Sequence, residues 1–321
     1  MSVEVRVADD KAIEEAGALI RDGRLVAFPT ETVYGLGADA TNEQAVANIF
    51  AAKGRPTFNP LIVHVADLAA AEEHVLFTAQ AICLADAFWP GGITFVLPRL
   101  PSSPLSLLVS AGLDTVAIRV PAHPIAQKLL KAAGRPIAAP SANASGEISP
   151  TLAAHVVQSL GHADALAMVL DGGACALGLE STVIGFPKAG PTLLRPGAVA
   201  RADIETVLGR ALLDADVASG EAGRSSPGQL ASHYAPRAKL RLDVSEPRTD
   251  EVWLGFGPAQ DSATLNLSVR GDVTEAAANL FAMLRQLDAI AGRRTIAVAP
   301  IPREGLGEAI NDRLLRASAP R

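Results

Sequence analysis

The sequence predicts an α/β fold: a twisted, mixed open sheet with flanking helices, followed by a smaller C-terminal α/β domain of Rossmann type. Short apolar runs alternate with longer stretches of helical periodicity, which is typical of α/β sheets. Some strand connections are too short to hold a crossover helix, so antiparallel pairs are expected. Periodicity is lost between residues 214 and 238, where Gly, Ser and Pro cluster, and then resumes.

The composition limits the class of protein. With 321 residues, the chain is long enough for about two domains. Hydrophobic residues make up 49% and charged residues 19%, which excludes global disorder. No apolar run approaches the roughly 20 residues that span a bilayer, and the N-terminus lacks the apolar stretch of a secretory signal. We expect a cytoplasmic protein without membrane contact.

The net charge limits the kinds of ligand, and the two cysteines limit the metal and disulfide chemistry. A net charge of −6 argues against a surface that grips nucleic acid as a whole. An anionic ligand must therefore be held by a local cluster of cations. Cys83 and Cys175 lack the spacing of a metal site, so we expect two reduced, buried thiols, with a disulfide between them as the alternative.

The first domain, residues 1–213, opens with a helix predicted over residues 9–22. Asp9 or Asp10 can cap its N-terminus, because a side-chain oxygen there accepts from the first free N–H groups. The apolar residues 25–28 predict a buried strand that Pro and polar residues bring to a close. We expect the residues that follow to form a turn carrying ligand-binding side chains.

A second helix and a second strand follow this turn. Thr41-Asn-Glu-Gln44 matches a capping box, which predicts a helix capped by Thr41 and ending at Lys53-Gly54. The strand over residues 61–65 alternates, so Ile62 and His64 share one face of the sheet. A histidine on that face is unusual unless the face carries a site, although a lone histidine is more often part of a core.

The rest of the first domain follows from the same periodicities. The strand 115–120 alternates, so Arg119 shares a face with Thr115 and lies in the middle of the sheet. The other predicted elements are helices at 67–75, 78–88, 123–133, 150–160 and 202–213 and strands at 94–97, 136–139, 167–170, 180–186 and 192–195.

Residues 214–238 are predicted to form a linker that acts as a mobile lid. The C-terminal domain then occupies residues 239–321. Its predicted elements are strands at 239–243, 251–256, 263–267 and 294–299 and helices at 273–291 and 304–317.

Several familiar catalytic motifs are missing from the sequence. It has no P-loop, no nucleophile elbow and no zinc-type Cys/His cluster. Gly35-Leu-Gly37-Ala-Asp-Ala40 matches the loose dinucleotide fingerprint. We reject that interpretation, because the strand ends at Phe28 and the helix begins only after Thr41.

Cationic and small polar side chains at strand ends and turns indicate a binding site. A lone arginine is usually a surface residue, but Arg119 in an alternating strand favours a carboxylate or phosphate ligand. Open α/β sheets bind ligands at strand ends. The candidate cations are Lys53, Arg55, Arg119 and Arg195, and the candidate hydroxyl and amide residues are Thr30, Thr32, Ser141, Asn143, Ser149, Ser181 and Thr182.

Short motifs in a fixed order identify the family. They resemble those of the YrdC-type threonylcarbamoyl-AMP synthases, and Pro227-Gly-Gln-Leu-Ala-Ser-His-Tyr-Ala-Pro236 resembles the linker of the long form. The motifs are Pro29-Thr-Glu-Thr-Val-Tyr-Gly-Leu36, Lys53-Gly-Arg-Pro56 with Asn59-Pro-Leu61, Ala138-Ala-Pro-Ser-Ala-Asn143, Glu180-Ser-Thr182 and Leu194-Arg-Pro-Gly197. The resemblance is close over residues 10–240 and looser beyond.

The resemblance implies a YrdC-like fold and a nucleotidyltransferase that makes threonylcarbamoyl-AMP and pyrophosphate from L-threonine, bicarbonate and ATP. The product would feed threonylcarbamoyl transfer enzymes that modify tRNA. Mg²⁺ is expected mainly on the ATP phosphates, with no metal site of the protein's own. A weak contact with RNA is also consistent with the resemblance.

The resemblance also implies site residues. Lys53 and Arg55 are the expected catalytic residues, because displacement at phosphorus needs charge neutralisation more than a covalent nucleophile. The residues implied for L-threonine are Thr32, His64, Arg119, Ala139 through its backbone, and Ser181. Those implied for ATP are Lys53, Arg55, Asn59, Thr115, Ser141, Asn143, Ser149 and Arg195, with Tyr234 of the linker closing over the nucleotide.

Two other classes of function stay open at this point. An RNA-binding module would use a concave basic surface, but the net charge and the lack of aromatic platforms argue against it. A carbamoyl-phosphate-using transferase would carry zinc-finger and acylphosphatase modules, which this sequence lacks.

Overall fold

The computed structural model describes residues 3–215, 233–258 and 263–320. Within them lie an eleven-stranded sheet and a four-stranded sheet. The strands are β1 Glu4–Val7, β2 Leu25–Pro29, β3 Tyr34–Asp39, β4 Ile62–His64, β5 Ile93–Pro98, β6 Thr115–Arg119, β7 Ile137–Ala138, β8 Leu166–Asp171, β9 Thr182–Gly185, β10 Thr192–Arg195, β11 Leu213–Asp214, β12 Leu240–Arg241, β13 Val252–Gly255, β14 Leu265–Asn266 and β15 Ile296–Val298. The helices are α1 Asp10–Arg21, α2 Glu43–Lys53, α3 Leu68–Glu72, α4 Ala79–Phe88, α5 Pro124–Ala133, α6 Ala153–Leu160, α7 Arg201–Leu208, α8 Val273–Ala291 and α9 Leu306–Ser318.

The large sheet is mixed, as predicted. Its strand order is β1-β8-β2-β3-β7-β4-β6-β5-β9-β10-β11. β4 runs parallel to β6, whereas β2 and β3 form an antiparallel hairpin and β5 runs antiparallel to β6. The four-stranded sheet has the order β12-β15-β13-β14, and its described pairs are all parallel. The Rossmann-type description of this domain stays a prediction.

Strand alternation divides the first domain into a core face and a cleft face. Leu61, Val63 and Val65 lie in the main hydrophobic cluster, whereas Ile62 belongs to a separate small cluster with Ala117. This confirms the predicted faces of β4 and β6. His64 and Arg119 are register partners on these two strands, so the predicted site residues meet on the cleft face.

The predicted turn follows β2 over residues 30–33, but the strand after it was not predicted. Residues 34–39 form the buried strand β3, because its backbone pairs with β2 and β7. A Cβ on Gly37 would lie 2.7 Å from Phe28 and 2.9 Å from Ile137. The glycine at this position therefore allows close packing of neighbouring strands, which supports the rejection of the dinucleotide fingerprint.

Several predicted ends are also corrected. Asn42, not Thr41, caps α2: its side chain accepts from the Ala45 N–H at 3.1 Å, while the Thr41 hydroxyl donates to Asp39. The helix predicted over 202–213 stops at Leu208, because Gly209 is left-handed at φ 65°. Asp9 caps α1, as predicted.

The cysteine prediction is partly wrong. Cys83 and Cys175 are both free, which excludes the disulfide, but Cys83 is exposed.

None of the helices among the described residues is long and apolar enough to cross a bilayer. Residues 216–232, most of the predicted lid, lie outside the described residues, and the lid itself stays a prediction.

The C-terminal domain shares a hydrophobic cluster with the first domain. Val33, Ile148 and Leu179 of the first domain belong to the same cluster as the buried face of α8 and α9. Tyr234 joins this cluster and is almost completely buried. The described end of the predicted linker is therefore packed between the two domains.

Candidate active site

A cleft lies where β2, β4, β6 and β7 end and where β9 begins. Most of the residues predicted to bind L-threonine or ATP line it. They are Thr32, Arg55, His64, Arg119, Ala139, Ser141, Ser181, Arg195 and Tyr234. Motifs far apart in the sequence thus form one surface.

Other predicted residues lie directly behind the cleft wall. Lys53 donates from Nζ to the carbonyl oxygens of Ser141, at 2.5 Å, and Asn143. The carbonyl of Asn59 accepts from Arg55 Nε at 3.1 Å. Because these contacts fix residues that line the cleft, Lys53 and its neighbours support the wall in the structure as it stands.

Thr115 is the predicted residue that the structure does not bring to the cleft. It lies at the opposite end of β6 from Arg119 and pairs with Pro98. A strand rises about 3.3 Å per residue, so four residues separate the two side chains by roughly 13 Å. Its assignment to ATP is unsupported by the position it occupies here.

Arg119 is held in place by three hydrogen bonds. Its Nε donates to the Gly91 carbonyl at 3.0 Å, Nη1 donates to Thr32 Oγ1 at 2.9 Å, and Nη2 donates to Glu31 Oε1 at 2.5 Å. The Arg119 and Glu31 side chains are only 4% and 12% exposed. The Arg119 guanidinium is therefore fixed against the cleft wall before any ligand binds.

The Glu31 carboxylate is charged despite its burial. Burial raises its pKa, but the charge and hydrogen bond of Arg119 outweigh that effect and hold the pKa of Glu31 below its ordinary value. The His123 N–H also donates to this carboxylate at 3.2 Å. Sequence reasoning missed Glu31, although it lies inside one of the quoted motifs.

Small hydroxyl groups surround the arginine. Thr32 Oγ1 lies 2.7 Å from Thr30 Oγ1, and Thr30 donates to the Val33 carbonyl at 2.7 Å. Ser181 Oγ lies 2.7 Å from Thr94 Oγ1. Each hydroxyl has a partner, so a ligand meets preorganised donors and acceptors here.

His64 is neutral in the folded protein. It is buried against Arg119, and its pKa is lowered to about 3, first by burial and then by the Arg119 charge. Its Nδ1 atom is buried and has no hydrogen-bond partner among the described residues. The neutral His64 ring lines the cleft beside Arg119.

Two further cations, Arg55 and Arg195, line the part of the cleft that we call the cationic end. Arg55 donates to the Pro60 carbonyl at 2.8 Å, and Arg195 donates to the Ser181 carbonyl at 2.8 Å. Burial is the main cause that lowers the pKa of Arg55 to about 10, and repulsion from Arg195 acts in the same direction. Burial also lowers the pKa of Lys53 well below its ordinary value. In the described part of the chain, no carboxylate lies within 4.0 Å of Lys53 or Arg55. An anion would compensate this buried charge.

Tyr234 closes the cleft on the side of the C-terminal domain. Its ring stacks on Phe281 with 5.5 Å between centroids, and it lies 4.1 Å from the His233 ring. Glu180 and His233 also line the cleft, and neither was predicted as a site residue. Glu180 lies inside a quoted motif, so its position in that motif was the available signal.

Together these features define an α/β protein with a cleft lined by buried cations, small hydroxyl groups and a neutral histidine. The chain belongs to the Sua5/YciO/YrdC family. The family model described as "Telomere recombination" matches residues 18–197. A second, described as "Threonylcarbamoyl-AMP synthase, C-terminal domain", matches residues 199–319.

Full-length relatives carry the same activity name. The threonylcarbamoyl-AMP synthase of Bacillus subtilis is 40% identical, over 98% of this chain and 94% of the relative. That of Schizosaccharomyces pombe is 34% identical, over 96% and 88%.

Solved structures agree over both domains. The crystal structure of Pyrococcus abyssi Sua5 complexed with L-threonine is 39% identical and superposes with a TM-score of 0.87, covering 99% of this chain and 97% of that one. A variant of the same protein, with a histidine and a tyrosine replaced by alanine, gives a TM-score of 0.88 at 38% identity, covering 99% and 96%. The predicted family and long-form architecture are confirmed.

Proposed function

We propose that this chain is a threonylcarbamoyl-AMP synthase, which makes threonylcarbamoyl-AMP and pyrophosphate from L-threonine, bicarbonate and ATP. The observation that carries the proposal is the lining of the cleft. It combines a fixed arginine, a neutral histidine and hydroxyl groups with the buried cations Arg55 and Arg195. Full-length relatives with this activity support it.

L-Threonine would bind at the Arg119 end. Each terminal nitrogen of Arg119 makes one described hydrogen bond, so each retains one N–H for a carboxylate. The neutral His64 ring lines the cleft beside Arg119 and would contact the threonine side chain or amine. Ala139 and Ser181 also line the cleft. The P. abyssi complex with L-threonine supports this choice of substrate.

The nucleotide would bind with its phosphates at the cationic end. Arg55 and Arg195 would contact the phosphates, and Ser141 would lie beside them. Lys53 would act by holding the Ser141–Asn143 loop in place or by moving onto a phosphate oxygen. Asn143 and Ser149 would shape the nucleotide end from behind the wall.

The chemistry is a displacement at phosphorus. The threonine nitrogen adds to CO₂ supplied by bicarbonate and gives a carbamate, whose oxygen attacks the α-phosphorus as pyrophosphate leaves. This step needs alignment and charge neutralisation, which the fixed cations provide. It needs no covalent nucleophile.

Mg²⁺ would be carried on the ATP phosphates. No cluster of three or more His, Cys, Asp or Glu side chains suited to a metal exists in the described ranges. Glu180 is the carboxylate lining the cleft, and its oxygens already accept hydrogen bonds from Ser149 and Arg313. A cationic donor set fits a metal held by phosphate oxygens rather than by the protein.

The product is a reactive mixed anhydride and needs an acceptor. We propose transfer by a separate enzyme to N6 of an adenosine beside the tRNA anticodon, in the cytoplasm. A weak contact of this protein with RNA is compatible with that route but is not required for synthesis.

The test follows pyrophosphate release. The protein is incubated with ATP and Mg²⁺, with bicarbonate, carbamoyl phosphate or neither, and with L-threonine, L-serine, L-valine or no amino acid. We expect release that requires both L-threonine and bicarbonate. Release that is independent of either would contradict the proposal, and release from carbamoyl phosphate instead of bicarbonate would favour the rival transferase.

A further inference from the structure

An arginine lies on the buried face of the last helix. The inward-facing positions of α9 include Ile310, Leu314 and Ala317, and Arg313 shares their face. Its side chain is 0% exposed. A position of this kind normally carries an apolar residue, because burying a charge is costly unless the charge is paired.

Two of the residues that Arg313 contacts line the cleft. Its Nε donates to Glu180 Oε2 at 2.9 Å, and its guanidinium carbon lies 5.2 Å from the centre of the Tyr234 ring. Nη1 donates to Asp312 at 2.7 Å. Both Glu180 and Tyr234 line the cleft, whereas Arg313 lies behind them.

Glu180 links Arg313 to Ser149, another residue predicted to bind the nucleotide. Its second oxygen, Oε1, accepts from Ser149 Oγ at 2.5 Å. Burial opposes the Glu180 charge, but the charges of Arg313 and Arg195 hold its pKa below the ordinary value. A carboxylate on the cleft wall is thus kept charged and oriented by a residue more than a hundred positions away in the chain.

We propose that Arg313 is a positioning residue. Through it, the C-terminal domain holds in place the residues on the nucleotide-binding side of the cleft. It fixes Glu180 and Tyr234, and through Glu180 it fixes Ser149. The inference rests on the proposed function only in that ATP is the nucleotide. It gives the C-terminal domain a direct part in substrate binding.

Three variants test this role in the full-length protein. Arg313→Met removes the charge, Arg313→Lys keeps the charge without the planar fork, and Arg303→Met removes an exposed positive charge just before α9 as the matched control. Calorimetric titration measures the Kd of ATP with Mg²⁺ and, separately, the Kd of L-threonine. Thermal unfolding reports on the fold. Because the assay measures binding, it tests the role of Arg313 even if the protein has no synthase activity.

We expect Arg313→Met to raise the ATP Kd roughly 10- to 100-fold, as misplaced groups in a preorganised site do, with the L-threonine Kd changed less than about two-fold. Arg313→Lys should lie between this variant and the wild type, and Arg303→Met should match the wild type. A purely structural arginine would lower the melting temperature and the fraction able to bind, with both Kd values unchanged.

Three results would overturn the inference. They are unchanged ATP affinity in folded Arg313→Met, equal weakening of both ligands, and failure of both Arg313 variants to fold. If Arg313→Met does not fold but Arg313→Lys does, the ATP and L-threonine Kd values of Arg313→Lys are judged by the same criteria. Synthase turnover is assayed beside binding: ATP binding without threonine-dependent pyrophosphate release would overturn the proposed function and leave the Arg313 result standing.

Discussion

Replacing Arg119 by methionine should have two separable effects, one on L-threonine and one on stability. The guanidinium makes three hydrogen bonds, one of them to the Glu31 carboxylate at 2.5 Å. Glu31 is 12% exposed, so removing its partner leaves a nearly buried, unpaired charge. Breaking a buried pair in this way costs about 3–5 kcal/mol of folding stability.

The effect on ligand binding follows from charge-assisted hydrogen bonds. Each such bond contributes about 1.5–3 kcal/mol, and 1.4 kcal/mol corresponds to a tenfold change in Kd. Loss of a single such bond should therefore weaken L-threonine binding about 10- to 100-fold, and loss of both Arg119 donors should weaken it at least that much. Urea unfolding measures the first effect and calorimetry measures the second.

The double variant Glu31→Gln/Arg119→Met separates the two effects. It removes the unpaired charge, so it should regain most of the lost stability and yet bind L-threonine as weakly as Arg119→Met. Lys128→Met breaks an exposed pair with Asp10 and should change neither quantity measurably. Unchanged threonine affinity in Arg119→Met, or recovery of binding in the double variant, would refute this account of Arg119.

Two further predictions concern the wall of the cleft. His64 has a folded-state pKa of about 3, below its ordinary 6.5, so proton uptake favours unfolding and its stabilising effect is lost as pH falls below 6.5. His64→Gln should flatten the dependence of the free energy of unfolding on pH by about 1.4 kcal/mol per pH unit between pH 6 and 4 in urea titrations, and identical slopes would contradict the burial argument. Gly37→Ala should destabilise the protein by about 1–3 kcal/mol, since the new Cβ would lie 2.7 Å from Phe28, whereas Gly35→Ala meets its nearest neighbour at 3.2 Å and should cost less. Equal costs in urea unfolding would show that the sheet relaxes around both positions.

Alternation and motif order were the informative parts of the sequence. Period-two alternation places His64 and Arg119 each on the face of its own strand away from the larger apolar residues, and the structure makes the two residues register partners across β4 and β6. The motifs that resemble the family supply Arg55, Ser181 and Arg195, which meet on the cleft wall. The placement of these residues could be predicted because it depends on local geometry or on a pattern of residues that the family shares.

The remaining features depend on contacts that no local pattern encodes. β3 was not predicted, and Gly37 within it is explained only by the close approach of Phe28 and Ile137. The role of Glu31 depends on Arg119, a distant residue in the chain. Arg313 gave no signal beyond an arginine on the apolar side of a helix, since its partners belong to the other domain. Thr115, taken from the resemblance, lies away from the cleft.

The central claim is that one cleft joins L-threonine, a one-carbon unit and the adenylyl group. The most direct measurement is ¹³C and ³¹P NMR of the product formed from ¹³C-bicarbonate, L-threonine and ATP. We predict a labelled carbonyl that is bonded to the threonine nitrogen and coupled through oxygen to the AMP phosphorus, with one pyrophosphate released per product. The account would be contradicted if pyrophosphate were released with AMP or a threonyl adenylate as the other product and no ¹³C were incorporated.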